Sequence, residues 1–136
     1  MLITVSKAEG RPEVTVLSLH GNLDSQDYTE VIEKAQAAYD AGARKLVLDL
    51  AGVPYMSSAG LMAIHTAALV FGGTAVQKGP GGRPSYRALD PHEDHAARLH
   101  VRLVGPQPRV AQVLETVGLM QFFDVFEDIA AAVNSF

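Results

Sequence analysis

The chain has 136 residues, 48% of them hydrophobic and 19% charged, which suffices for one buried core and is too short for two ordinary domains. Its net charge is −4 with the basic residues scattered singly, so no basic stripe is present to neutralise a run of phosphates, which argues against direct nucleic-acid binding. Cysteine is absent, and disulfides and thiolate metal or redox sites are excluded with it.

The N-terminal stretch lacks the basic and long apolar regions of a signal peptide, and no apolar run approaches the ~20 residues of a membrane span, so a cytoplasmic protein without membrane insertion is expected. Leu2-Ile3-Thr4-Val5 and Val14-Thr15-Val16-Leu17-Ser18-Leu19 are β-rich runs separated by the turn signal Glu9-Gly10-Arg11-Pro12, which predicts a hairpin. Gly21-Asn22-Leu23-Asp24-Ser25 ends the strand and offers Asp24 or Ser25 as a helix N-cap. Val31, Ile32, Ala35 and Tyr39 follow at helical spacing, with Gly42 closing the helix. Leu46-Val47-Leu48-Asp49-Leu50 reads as a strand buried on both faces. A break at Ala51-Gly52-Val53-Pro54 leads into a second helix from about Ser58 to Phe71.

Gly72 to Arg98 holds five of the twelve glycines and three of the seven prolines, and apolar periodicity is lost between Gly72 and Pro91. We read 72–98 as a long flexible surface insertion in a single domain spanning 1–136. It is either a tolerated loop or a partner-specific arm carrying Lys78, Arg83, Tyr86 and Arg87. Leu99 to Val104 predicts a strand of alternating apolar and basic residues. Pro106 and Pro108 open a third helix with Val110, Val113, Leu114 and Val117 as its stripe and Gly118 at its end. Phe122 to Phe126 is expected to form a short last strand before a final helix from Glu127 to about Val133. The order is ββαβαβαβα, an α/β protein whose mixed β-sheet carries packed helices, with the long insertion after the second helix.

One segment is chemically unusual. In Tyr55-Met56-Ser57-Ser58-Ala59-Gly60-Leu61, two serines fall where the first N–H groups of a helix lack partners. Either serine can serve as an N-cap, worth roughly 1 kcal/mol. A hydroxyl exposed at a positive helix end can also serve as a phosphoacceptor or anion site. Enzyme motifs are missing. Tyr55 and Met56 stand where a serine-hydrolase elbow needs glycine, and neither a phosphate-binding loop nor a dinucleotide fingerprint is present. His92-Glu93-Asp94-His95, with His100 beyond, lacks zincin spacing and reads as a charged helix start, while His20 and His65 read as structural. A non-enzymatic protein without cofactor or metal is expected.

Val53-Pro54-Tyr55-Met56-Ser57-Ser58-Ala59-Gly60-Leu61 resembles the signature of STAS domains, the family of bacterial anti-sigma factor antagonists. Gly21-Asn22-Leu23-Asp24 is similar to the family's Gly-x-Leu-Asp, and Leu46 to Leu50 to its central strand. Val104-Gly105-Pro106-Gln107-Pro108-Arg109-Val110, with Leu114, Gly118-Leu119 and Phe122-Phe123, resembles its C-terminal half. The resemblance implies a protein-interaction switch in transcription regulation. Such a protein binds a serine-kinase anti-sigma factor when unphosphorylated and releases it once a hydroxyl in this loop is phosphorylated. The matching acceptor is Ser58, with Ser57 as second choice because it stands where the family often has Asp. Asp24 matches the family's acidic residue near the acceptor, and helix capping accounts for it equally well.

The implied partner contacts are Asp24, Ser57, Ser58, Gly60, Met62 and Thr66. Met62 and Thr66 lie one and two turns beyond Ser58, although Met62 also fits an ordinary core position. An alternative within the resemblance is a constitutive scaffold or accessory subunit of a signalling complex or a lipid transporter. Small-ligand sensing has no dedicated polar cluster in the sequence to support it, and no heptad or apolar strip indicates an oligomeric state.

Overall fold

Side chains on β-strands alternate between faces, and here that alternation sorts the apolar residues into two layers. The structure is a computed structural model that describes residues 2–73 and 99–136. Most of the expected insertion, with His92, His95, Lys78, Arg83, Tyr86 and Arg87, lies outside the described residues. Among the described residues the sheet has five strands in chain order, β1 (Leu2–Ala8), β2 (Arg11–His20), β3 (Lys45–Gly52), β4 (Val101–Val104) and β5 (Asp124–Phe126). β1 pairs antiparallel with β2 through a tight turn at Gly10, whose φ of 74° suits glycine. The other pairings are parallel.

Among the described residues, four helices supply the first layer: α1 (Tyr28–Asp40), α2 (Ser58–Phe71), α3 (Pro108–Thr116) and α4 (Leu119–Phe122). Leu17 and Leu19 of β2, Leu46, Leu48 and Leu50 of β3, and Val101 and Leu103 of β4 form one cluster with Val31, Ile32, Ile64, Phe71, Leu114 and Phe122 from these helices. The opposite face holds a smaller cluster of Val14, Val16, Val47 and Val104 under α5 (Ile129–Asn134), which contributes Ala132 and Val133. Arg102 is 7% exposed on this second face. Its Nε donates to Ser135 Oγ at 2.9 Å and its guanidinium lies 4.5 Å over the Phe136 ring, so the C-terminal residues cover it. Arg11 Nη1 donates to Val133 O at 3.1 Å and ties the same segment to β2.

Several boundaries differ from expectation. The N-cap position of α1 falls at Asp27 rather than Asp24 or Ser25, and no side-chain hydrogen bond caps the helix there. Asp24 instead closes a turn, its Oδ1 accepting from Gln26 N at 3.0 Å and its carbonyl from Tyr28 N at 3.0 Å. β4 starts at Val101 rather than Leu99, and His100 Nδ1 lies 2.9 Å from Phe71 O at the end of α2. Phe122 belongs to α4, a helix the periodicity did not announce, which starts after Gly118 at φ 84°. No helix among the described residues is long and apolar enough to cross a membrane.

Candidate functional site

The loops that follow β2 and β3 are joined to each other by backbone hydrogen bonds. Gly21 N donates to Gly52 O, Leu23 N to Tyr55 O, and Ser57 N back to Leu23 O, each at 3.0 Å. Leu23 and Met56 form an isolated parallel bridge, and both side chains are buried. The serine loop is therefore held against Gly21-Asn22-Leu23-Asp24 at the carboxyl ends of the parallel strands. Gln107 adds the start of α3 to the same end, donating from Nε2 to Ala51 O at 2.7 Å.

The two serines have different roles. Ser57 is the N-cap of α2, with extended backbone and its Oγ accepting from Gly60 N at 3.4 Å. The same hydroxyl reaches Leu23 O at 3.5 Å. Ser58 is the first helical residue and is exposed, and no side-chain hydrogen bond occupies its hydroxyl among the described residues. It sits where the unpaired N–H groups and the helix dipole favour negative charge.

Gly60 is buried because nothing larger fits. A Cβ there would stand 2.6 Å from Met56 Cγ and 2.7 Å from Leu23 O. Asp24 is half-buried beside this contact and is the one charged residue in the stretches 21–25 and 53–61. Met62 is half-buried, whereas Thr66 is 4% exposed, because α2 is buried on every side from Ala63 to Phe71. Of the six expected contact residues, the structure brings Asp24, Ser57, Ser58 and Gly60 together in the two joined loops, with Met62 one turn on. Thr66 lies below the surface.

Tyr55, 44% exposed in the same loop, was not singled out by the sequence. Its signal was an aromatic residue in a loop, where burial is the ordinary fate of such a side chain. The surface thus presents a free hydroxyl, an aromatic ring and an adaptable methionine around tightly packed backbone. Among the described residues no group of three His, Asp or Glu side chains is placed to hold a metal ion.

The family model described as "Mlab, STAS domain" matches residues 6–76. No curated protein matches the chain. Solved structures are similar over nearly its whole length. The anti-sigma factor antagonist SpoIIAA in its unphosphorylated form has a TM-score of 0.69 at 17% identity, covering 98% of this chain and 95% of that one. An anti-sigma factor antagonist from Mycobacterium paratuberculosis has a TM-score of 0.68 at 17% identity, with coverages of 98% and 92%. The Bacillus cell-fate determinant SpoIIAA in its phosphorylated form has a TM-score of 0.63 at 15% identity, covering 98% of both chains. The family match runs from β1 through β2, α1 and β3 to the end of α2, the elements that build the joined loops, and the chain belongs to the STAS domain family.

Proposed function

We propose that the protein is an anti-sigma factor antagonist whose affinity for a serine-kinase partner is set by phosphorylation of Ser58. The observation that carries this reading is the division of labour between the serines, in which Ser57 caps the helix and Ser58 keeps an exposed, unengaged hydroxyl. Similarity in fold to SpoIIAA supports the same reading. Phosphate adds about −1.5 to −2 charge and three acceptor oxygens at pH 7. The N-terminus of α2 stabilises that charge by about 0.3–1 kcal/mol, so the domain stays folded and the loss falls on the complex. Seating a dianion in an interface costs several kcal/mol of desolvation, and each 1.4 kcal/mol is about tenfold in affinity. The partner face consists of Ser58, Tyr55, Met62 and the Asp24 turn, with Ser57 and Gly60 supporting it from beneath.

The test is incubation with a serine-kinase anti-sigma factor from the same genome and ATP, followed by mapping of the modified residue. Ser58→Ala is expected to abolish phosphate incorporation while Ser57→Ala retains it, and Ser58→Asp is expected to lose the partner. The reverse pattern in the alanine variants overturns the choice of acceptor. A second reading, which membership of the STAS family leaves open, makes the chain a constitutive scaffold or accessory subunit of a signalling complex or a lipid transporter, binding through the same face. Unchanged partner binding by Ser58→Asp, with no phosphate incorporation, selects that reading.

A further inference from the structure

A groove of about 670 Å³ lies at the opposite end of α1 from the serine loop. β1 and the first half of β2 form one wall, and the last turns of α1 with the following loop form the other. Its helical side is lined by Ala37, Ala38, Ala41 and Ala43, and these methyl-sized side chains leave the space open where α1 passes the hairpin. Val5 and Pro12 make the strand side apolar.

Three polar groups face this space without partners. Thr15 is 3% exposed and lines the groove, and no side-chain hydrogen bond holds its hydroxyl. Lys7 is paired directly with Thr15 across the β1–β2 ladder, so the ammonium stem and the hydroxyl stand on one face of the sheet. Lys34 approaches from α1, and neither lysine is in an ion pair among the described residues. The only carboxylate among the described lining residues, Glu13, is held by Arg11 Nε at 3.0 Å. The chain carries a net charge of −4, yet this groove presents a hydrogen-bond donor and two unpaired cations above apolar walls. Small-molecule sites have this composition and volume, largely apolar with a few converging polar groups.

We propose that this groove binds an amphipathic monoanion, a medium-chain carboxylate whose head accepts from Thr15 between Lys7 and Lys34 while its chain lies along the alanines of α1. The site takes its residues from β1, β2, α1 and the loop after α1, so no contiguous polar cluster marks it in the sequence. It is separate from the serine loop, and its test does not depend on a protein partner.

Decanoate, kept below its micellar range, is titrated into the ¹⁵N-labelled full chain, with decanol as the neutral counterpart and acetate as the head group alone. Decanoate is expected to give saturable amide shifts at Lys7, Thr15, Ala38 and Ala41, and acetate none. The double variant Lys7→Gln, Lys34→Gln is expected to weaken decanoate about tenfold, the combined effect of two exposed charge pairs, with decanol unchanged. Ala37→Leu, at an exposed helical position that tolerates the change, is expected to weaken both. Decanoate shifts that fail to saturate, that centre on the α2 N-terminus, or that persist unaltered in the double lysine variant overturn the assignment.

Discussion

Replacing Gly60 by alanine tests whether the serine loop is held by close packing. An added methyl group would stand 2.6 Å from Met56 Cγ, 2.7 Å from Leu23 O and 3.0 Å from Leu23 Cγ. Relaxed carbon contacts need about 3.5–4.0 Å, so the neighbours must withdraw by several tenths of an ångström or more. Neither can do so cheaply. Met56 is 2% exposed, and Leu23 O is the acceptor for Ser57 N at 3.0 Å. Overpacking of this kind costs about 1–3 kcal/mol. Alanine recovers about 1 kcal/mol through its better helix propensity, which leaves a net destabilisation of up to about 2 kcal/mol. Urea denaturation is the assay, with the midpoint expected to fall while the m-value stays unchanged. The melting temperature is expected to drop by about 4 °C per kcal/mol for a chain of this size. A Gly60→Ala protein about 1 kcal/mol more stable than the parent would refute the crowding argument, because the propensity gain would then stand unopposed.

The two serines should separate in the same assay. Ser57→Ala removes the cap of α2 and is expected to cost about 1 kcal/mol, whereas Ser58→Ala at an exposed, unbonded position stays within about 0.5 kcal/mol; equal losses would contradict the assigned roles. Burial lowers the pKa of His65 below the ordinary histidine value of about 6.5, so the folded state holds this ring neutral. The contribution is fully present above pH 6.5 and is lost as pH falls towards the folded pKa, since the unfolded chain takes up the proton first, at no more than about 1.4 kcal/mol per pH unit. His65→Gln is expected to flatten the stability profile between pH 7 and 5.5, and an unchanged slope would exclude the ring as its source.

The strands were legible where burial on both faces leaves an unbroken apolar run, as at Leu46 to Leu50, or where β-branched residues alternate, as in β2. The cap of α2 was legible because a serine before a helical stripe has few other uses. The start of α1 was not, because Asp24 can close a turn as readily as a helix and the choice depends on the bond from Tyr28 N. Four residues are too few to show a helical period, so α4 went unannounced between the expected helix end at Gly118 and the expected strand from Phe122, of which it takes only Phe122. Thr66 looked like a surface position by its spacing from Ser58, but α2 is buried around its whole circumference there, and spacing along one helix does not reveal what covers it. The groove beside α1 was invisible for a similar reason, since Lys7 and Thr15 are neighbours only through the hairpin register.

The order of strands across the sheet matches their order along the chain, and this has a consequence for synthesis on the ribosome. Each new strand can add to an edge already formed, so the sheet is able to grow in the direction of translation. Its longest halt comes after β3. Between the end of β3 at Gly52 and the start of β4 at Val101 lie residues 53–100, 48 in all. At about 5–20 residues per second this interval lasts roughly 2–10 s. Throughout it the edge awaiting a neighbour is β3, whose Leu46, Val47, Leu48 and Leu50 are all at 0% exposure in the finished fold. α2 emerges during the pause and can cover one face of that strand, but the row of unpaired N–H and C=O groups stays open until Val101 arrives. The length of chain between β3 and β4 thus sets how long the most apolar strand of a nascent molecule remains available to another.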